Sequence, residues 1–83
     1  MNTIETINTD YIRSSRTIET VLVSNSNSKK VFFIYNFEGC SFRVFNSHLN
    51  LINFFKYNET ESDFHFDTEI ELDSFLSEVN LKN

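Results

Sequence analysis

The chain contains few of the residues that make tight turns, cross-links and phosphate-binding loops. Its 83 residues include one glycine, one cysteine, no proline and no tryptophan. A single glycine excludes phosphate-binding loops, which need several glycines so that backbone amides can approach the anion. A single cysteine, Cys40, excludes an intramolecular disulfide and any zinc site built on cysteine pairs. Turns therefore have to be made mainly by Asn, Ser and Asp.

Long hydrophobic runs are also missing. The longest apolar run, VFFIY at residues 31–35, is far too short to span a bilayer. The first fifteen residues lack a basic start followed by an apolar stretch, so we expect no secretory signal. With a single cysteine in addition, the sequence predicts a cytoplasmic protein, in the producing cell or in a host cell, and no membrane association.

Aromatic and acidic residues are abundant. Ten Phe and three Tyr, within a composition of 40% hydrophobic and 23% charged residues, are typical of a folded chain. A chain this short cannot support two cores, so residues 1–83 are expected to form one small acidic domain. The net charge of −5 is unevenly distributed: residues 57–83 hold eight acids and one base, whereas residues 1–56 hold four acids and six bases.

The order of local patterns predicts an α+β domain. We expect a single-layer, mainly antiparallel sheet of four to five strands with two helices packed on one face, in the order ββββαβα. β-branched and aromatic residues indicate the strands, and apolar residues at helical spacing indicate the helices. The expected strands are residues 17–23, 30–37, 41–45 and 63–67, and the expected helices are residues 48–57 and 69–80. Residues 1–13 fit a strand or a helix, and their Thr and Ile content favours the strand.

The turn between the third and fourth strands determines which side chains share a face. Glu38 and Gly39 have the length and chemistry of a two-residue hairpin turn. That turn predicts a definite set of cross-strand pairs. The pairs are Phe37 with Cys40, Tyr35 with Phe42, and Phe33 with Val44.

In that register, an apolar group remains on the face that the helices do not cover. Its members are Phe32, Ile34 and Phe45. An exposed patch of this kind usually marks an interaction site, so these residues are a candidate homodimer face; the alternative is that the N-terminal segment covers them.

Two helix starts are visible in the sequence. Asn46 or Ser47 can cap the first helix, whose core-facing stripe is expected at Leu51, Ile52 and Phe55. Thr68 and Glu71 have the spacing of a capping box, which predicts the start of the last helix.

The segment SDFHFDTEIELD, residues 62–73, is the main candidate for chemistry. In an extended strand, Asp63, His65 and Asp67 lie on one face, which suggests a His65-centred metal site or an acid–base enzyme. Neighbours on that face are about 6.5–7 Å apart at Cα, so a coordination sphere would need ligands from elsewhere. No diagnostic ligand spacing supplies them, so we predict no metal, cofactor or catalytic residue and regard the row as the outer face of a strand.

The concentration of acids in the same region predicts a docking surface. Phosphate binding is disfavoured, so no direct nucleic-acid contact is expected, whereas a basic protein surface would be attracted. The main prediction is a non-enzymatic protein-binding module or inhibitor that occludes a basic surface of a larger protein. If that protein binds nucleic acid, the acids would stand in for phosphates. The predicted partner-binding residues are Glu59, Glu61, Asp63, His65, Asp67, Glu69, Glu71 and Asp73.

Two other functions stay open: a homodimeric structural or accessory subunit, and the His65-centred metal protein or enzyme. In size and charge the chain is similar to phage-encoded inhibitors of bacterial defence and to immunity and antitoxin proteins. That resemblance implies inhibition by binding, and it extends to no particular residue.

Overall fold

A computed structural model describes residues 1–81 and confirms the α+β class, the mainly antiparallel sheet and the order ββββαβα. Five antiparallel strands lie in the order β1-β2-β3-β4-β5, so strands that are consecutive in the sequence are neighbours in the sheet. The elements are β1 (Thr3–Arg13), β2 (Arg16–Ser24), β3 (Lys29–Phe37), β4 (Ser41–Phe45), α1 (His48–Lys56), β5 (Phe64–Phe66) and α2 (Glu69–Glu78).

The β3–β4 hairpin has a three-residue loop, so the predicted register is wrong by one residue. Glu38 and Gly39 both have positive φ, 56° and 73°, and the Cys40 amide donates to the Phe37 carbonyl at 3.1 Å. Cys40 is exposed in this loop and does not begin the strand. A shift of one residue moves every side chain of the second strand to the other face. The observed pairs are Phe37 with Ser41, Tyr35 with Arg43, Ile34 with Val44, and Phe33 with Phe45.

This register makes both faces of the sheet apolar, and each face is covered by one helix. On one face α2 buries Leu72 and Leu76 against side chains of β2, β3 and β4, including Ile34 and Val44. On the other face α1 buries Leu51 in a smaller cluster. The expectation that both helices pack on one face is therefore wrong. The smaller cluster also contains Tyr35, Phe45, Ile18, Phe33, Phe37 and Phe54.

The candidate dimer face of Phe32, Ile34 and Phe45 is not an open surface. These side chains are 1%, 2% and 1% exposed. Phe32 and Ile34 belong to the cluster under α2, whereas Phe45 belongs to the cluster under α1. The prediction fails for two reasons: α2 covers the face of Phe32 and Ile34, and the wrong register placed Phe45 on that face.

Both predicted helix starts are confirmed. The Ser47 hydroxyl accepts from the Asn50 amide, and the Thr68 hydroxyl accepts from the Glu71 amide. The predicted core stripe of α1 is partly wrong, because Leu51 is buried while Ile52 and Phe55 are each 43% exposed. Within residues 1–81, neither helix is long and apolar enough to cross a membrane.

Candidate functional site

The acidic segment, residues 59–73, runs around the β5 edge of the sheet and reaches both faces. Glu59, Glu61 and Asp63 lie on the α1 side, where they border a polar depression of about 280 Å³. Glu69 and Asp73 lie on the α2 side and border a separate cavity of about 150 Å³. The eight predicted partner-binding residues are therefore divided between two sides of the domain. The remaining three are His65 in β5, Asp67 between β5 and α2, and Glu71 in the first turn of α2.

The loop that carries Glu59 and Glu61 is held to the domain at three points. The Glu59 amide donates to the Phe54 carbonyl at 3.1 Å, closing the C-terminus of α1. The Arg43 guanidinium donates to the Thr60 carbonyl at 2.8 Å. At the end of the loop, an Asp63 carboxylate oxygen accepts from the Asn46 amide at 2.8 Å and from the Asn50 side chain at 3.0 Å. The loop is therefore held in place by contacts within the chain itself.

The predicted acids differ in whether their carboxylates already accept hydrogen bonds within the chain. Asp63 holds the loop, and Glu71 accepts a 3.0 Å hydrogen bond from the Thr68 hydroxyl in the capping box. The carboxylates of Glu59 and Glu61 make no hydrogen bond or ion pair within residues 1–81, and both residues are exposed. Of the acids on the α1 side, these two are the ones available to an external cation.

An aromatic groove of about 540 Å³ lies beside Glu59 on the α1 face. Tyr35 lines the groove, and its ring lies 5.0 Å from the Phe55 ring and 6.1 Å from the Phe37 ring. Arg43 and Glu59 also line the groove. Aromatic walls next to an unpaired carboxylate can hold an apolar or cationic side chain by ring contact and charge together.

The geometry around His65 does not form a catalytic triad. The Ser41 hydroxyl lies 2.9 Å from His65 Nε2, and an Asp67 carboxylate oxygen lies 3.6 Å from the same nitrogen. In a triad the acid contacts Nδ1, so that the imidazole can take a proton from serine at Nε2. Here the Ser41 hydroxyl and the Asp67 carboxylate both lie near Nε2, so Ser41, His65 and Asp67 do not form a proton relay. As predicted, Phe64 and Phe66 on the opposite side of β5 pack against the core.

The side chains that could bind a metal ion are dispersed over the described part of the chain. Across residues 1–81 no group of three or more His, Cys, Asp or Glu side chains is placed to hold a metal ion. His48, the second histidine, packs its ring edge-on against Phe33 with centroids 5.4 Å apart, which is a core-edge position.

On the α2 side, the Glu19 carboxyl group lies in surroundings that disfavour its charged form. Glu19 of β2 is half-buried and lines the 150 Å³ cavity together with Glu69 and Asp73 from α2. Burial, and then the negative charge of Glu69, raise the pKa of the Glu19 carboxyl above its ordinary value. Burial and the Glu69 charge therefore disfavour the ionised form of Glu19.

Sequence reasoning missed the aromatic groove. Its walls come from β3 and from Phe54 and Phe55 of α1, which are distant in sequence. The consecutive phenylalanines were a usable signal, because neighbouring helix residues point about 100° apart and both rarely reach the core. Neither a family model, nor a curated protein, nor a solved structure matches the chain.

Proposed function

We propose that the protein is a non-enzymatic binding module that occludes a basic surface of a larger protein. The observation that carries this proposal is the pair of unpaired carboxylates, Glu59 and Glu61, on a fixed loop beside the aromatic groove. The charges would attract and orient a basic partner, and the groove would accept one of its side chains.

The fixed loop is what distinguishes this surface from an ordinary solvated face. Ordering flexible charged side chains and loops reduces binding affinity, so a loop that is already held by Arg43 and Asp63 loses less on association. Phe55, 43% exposed beside the groove, would be buried by the partner and would add an aromatic anchor.

The charge distribution narrows the class of partner. Eight acids against one base in residues 57–83 would repel nucleic acid and attract the proteins that bind it. A nucleic-acid-binding protein is accordingly the proposed kind of target, with the carboxylates occupying phosphate positions. The similarity in size and charge to phage-encoded inhibitors and to immunity or antitoxin proteins agrees with this role. The lone cysteine agrees with action in the cytoplasm.

The proposal is tested by capture from a lysate, followed by binding measurements with the purified partner. We compare the native chain with Glu59→Lys and with Glu78→Lys, which makes the same change in net charge on α2, away from the groove. Glu59→Lys should weaken binding about tenfold or more, because one fixed contact becomes repulsive, and Glu78→Lys should leave it nearly unchanged.

Salt dependence supplies the second readout. The affinity of the native chain should fall as salt rises, and the Glu59→Lys variant should show a shallower fall. Equal loss of affinity in both lysine variants would mean that only total charge matters. Unchanged affinity in Glu59→Lys would mean that the groove region is not part of the interface. Either result contradicts the proposal.

A further inference from the structure

The outer edge of β1 is a long strand edge that pairs with no other strand in the described part of the chain. β1 has eleven residues, and in the described chain its ladder is formed with β2 alone. Proteins usually protect such edges with lysine, proline or very short strands, because the free amide and carbonyl groups can pair with another chain. β1 has no lysine and no proline, and its edge is interrupted only by two bulges and three charged side chains. Both ends of β1 are fixed. At the N-terminal end, the Asn2 side chain donates to the Leu76 and Val79 carbonyls near the end of α2. At the other end, a two-residue loop connects Arg13 to β2.

The side chains of this edge are apolar to a degree that the monomer does not explain. Ile7, Tyr11 and Ile12 are 51%, 77% and 47% exposed. Ile7 and Ile12 lie at register shifts, where they have no partner on β2. A bulge interrupts regular pairing, so the regular part of β1 between the two shifts is residues 8–11.

Two charged side chains of this edge, Glu5 and Arg13, have no ion-pair partner among the described residues. Arg13 lies opposite Arg16 in the β1–β2 ladder, and Arg16 is already paired with Glu38 at 3.2 Å. Glu5 lies opposite Leu22. Neither Glu5 nor Arg13 makes an ion pair within residues 1–81. Both side chains lie on the same face of the sheet, because Leu22 and Arg16 are separated by an even number of residues in β2.

We infer that two copies of this chain associate through β1, antiparallel, about a two-fold axis at Thr9. In a two-fold pair that continues the sheet, a residue on the axis faces its own copy, so the choices within the regular stretch can be compared directly. An axis at Asp10 would put two aspartates together, and an axis at Asn8 would put Glu5 opposite Tyr11. An axis at Thr9 puts Glu5 opposite Arg13 of the second copy. One register shift lies between Thr9 and each of these residues, at Ile7 and at Ile12, so the two halves of the strand are interrupted equally.

The same register also matches the remaining side chains. Asn8 lies opposite Asp10 of the second copy, so an amide meets a carboxylate; inside one chain these groups already form a 3.3 Å hydrogen bond. Ile7 lies opposite Tyr11, so an aliphatic group meets an aromatic ring, which is a favourable cross-strand pair. Each pair occurs twice by symmetry. The result is a ten-stranded sheet, with both acidic segments at its outer edges, remote from the interface.

The test is the mass of the protein in solution, by sedimentation equilibrium from micromolar to millimolar concentration. The native chain should form a concentration-dependent dimer. Arg13→Glu should weaken the dimer about tenfold, because two opposite-charge pairs become like-charge pairs. The double variant Glu5→Arg with Arg13→Glu should restore the dimer, because it exchanges the charges without removing the pairs.

Two further variants separate this interface from others. Thr9→Lys places two like charges on the axis and should give a monomer. Ile70→Lys changes an exposed residue of α2 and should leave the dimer intact. A circular dichroism melt checks that each variant is folded, and Arg13→Glu should not destabilise the monomer, because it gives Arg16 an acidic neighbour. A native chain that stays monomeric throughout, or a dimer that survives Thr9→Lys and Arg13→Glu, overturns the inference. So does failure of the charge exchange to restore association.

Discussion

The placement of the two helices on opposite faces can be tested with one phenylalanine from each helix. Phe54 of α1 contacts three aromatic rings, and Phe75 of α2 contacts three others. The rings around Phe54 are Tyr35, Phe45 and Phe55, and those around Phe75 are Phe32, Phe64 and Phe66. No ring is shared, so Phe54→Leu and Phe75→Leu should act independently.

The size of each effect follows from what leucine keeps and loses. Leucine retains most of the apolar volume but loses the aromatic pairs, each of which contributes about 0.5–1.5 kcal/mol beyond its buried area. Both rings are only partly buried, so each substitution should lower the free energy of unfolding by about 1–2 kcal/mol. A domain of this length is stable by roughly 4–12 kcal/mol, so the double variant should still fold.

The assay is urea unfolding of the native chain, both single variants and the double variant, followed by circular dichroism because the chain has no tryptophan. The two losses should add to within about 0.5 kcal/mol. A second cycle, Phe64→Leu with Phe75→Leu, joins rings 4.5 Å apart and should show coupling of about 0.5 kcal/mol or more. Coupling above about 1 kcal/mol between Phe54 and Phe75 would place them in one core and refute the arrangement.

Three other predictions concern single positions. Because burial and Glu69 raise the pKa of Glu19, the native chain loses stability relative to Glu19→Gln as pH rises from the ordinary carboxyl pKa through the raised one. Glu19→Gln should therefore be more stable than the native chain in thermal melts at pH 7 but not below about pH 4, where Glu19 is protonated in both states. Glu78→Gln, which makes the same change in net charge as Glu19→Gln, is the control. Asn58 has φ of 53° after α1, so Asn58→Gly should raise the unfolding free energy by about 0.5–1 kcal/mol and Asn58→Ala should lower it similarly; a gain from alanine in urea unfolding would contradict the left-handed conformation. Asp63→Ala should lower the unfolding free energy by about 1–2 kcal/mol because it removes two hydrogen bonds from the loop, whereas Glu61→Ala should stay within about 0.5 kcal/mol. Equal effects in the two variants would mean that Asp63 does not hold the loop.

The sequence was sufficient for features that depend on neighbours along the chain. Thr68 and Glu71 lie three residues apart, so their capping box was visible without any structure. Alternation identified β3 and β5, because the side chains of an extended strand point alternately to opposite faces. The uneven distribution of acids was likewise readable, and the acidic segment is part of the proposed partner-binding surface.

Only the tertiary structure decided which face each of these elements occupies. One additional loop residue, Cys40, moved Phe42 and Val44 to the face of Phe32 and Ile34. That shift made both faces apolar, separated the helices and buried the predicted dimer face. It was not readable from the pattern, because a two-residue and a three-residue turn both fit the letters around Gly39, yet they send every following side chain to opposite sides. The aromatic groove and the free edge of β1 have the same origin, since each depends on which strands and helices become neighbours in space.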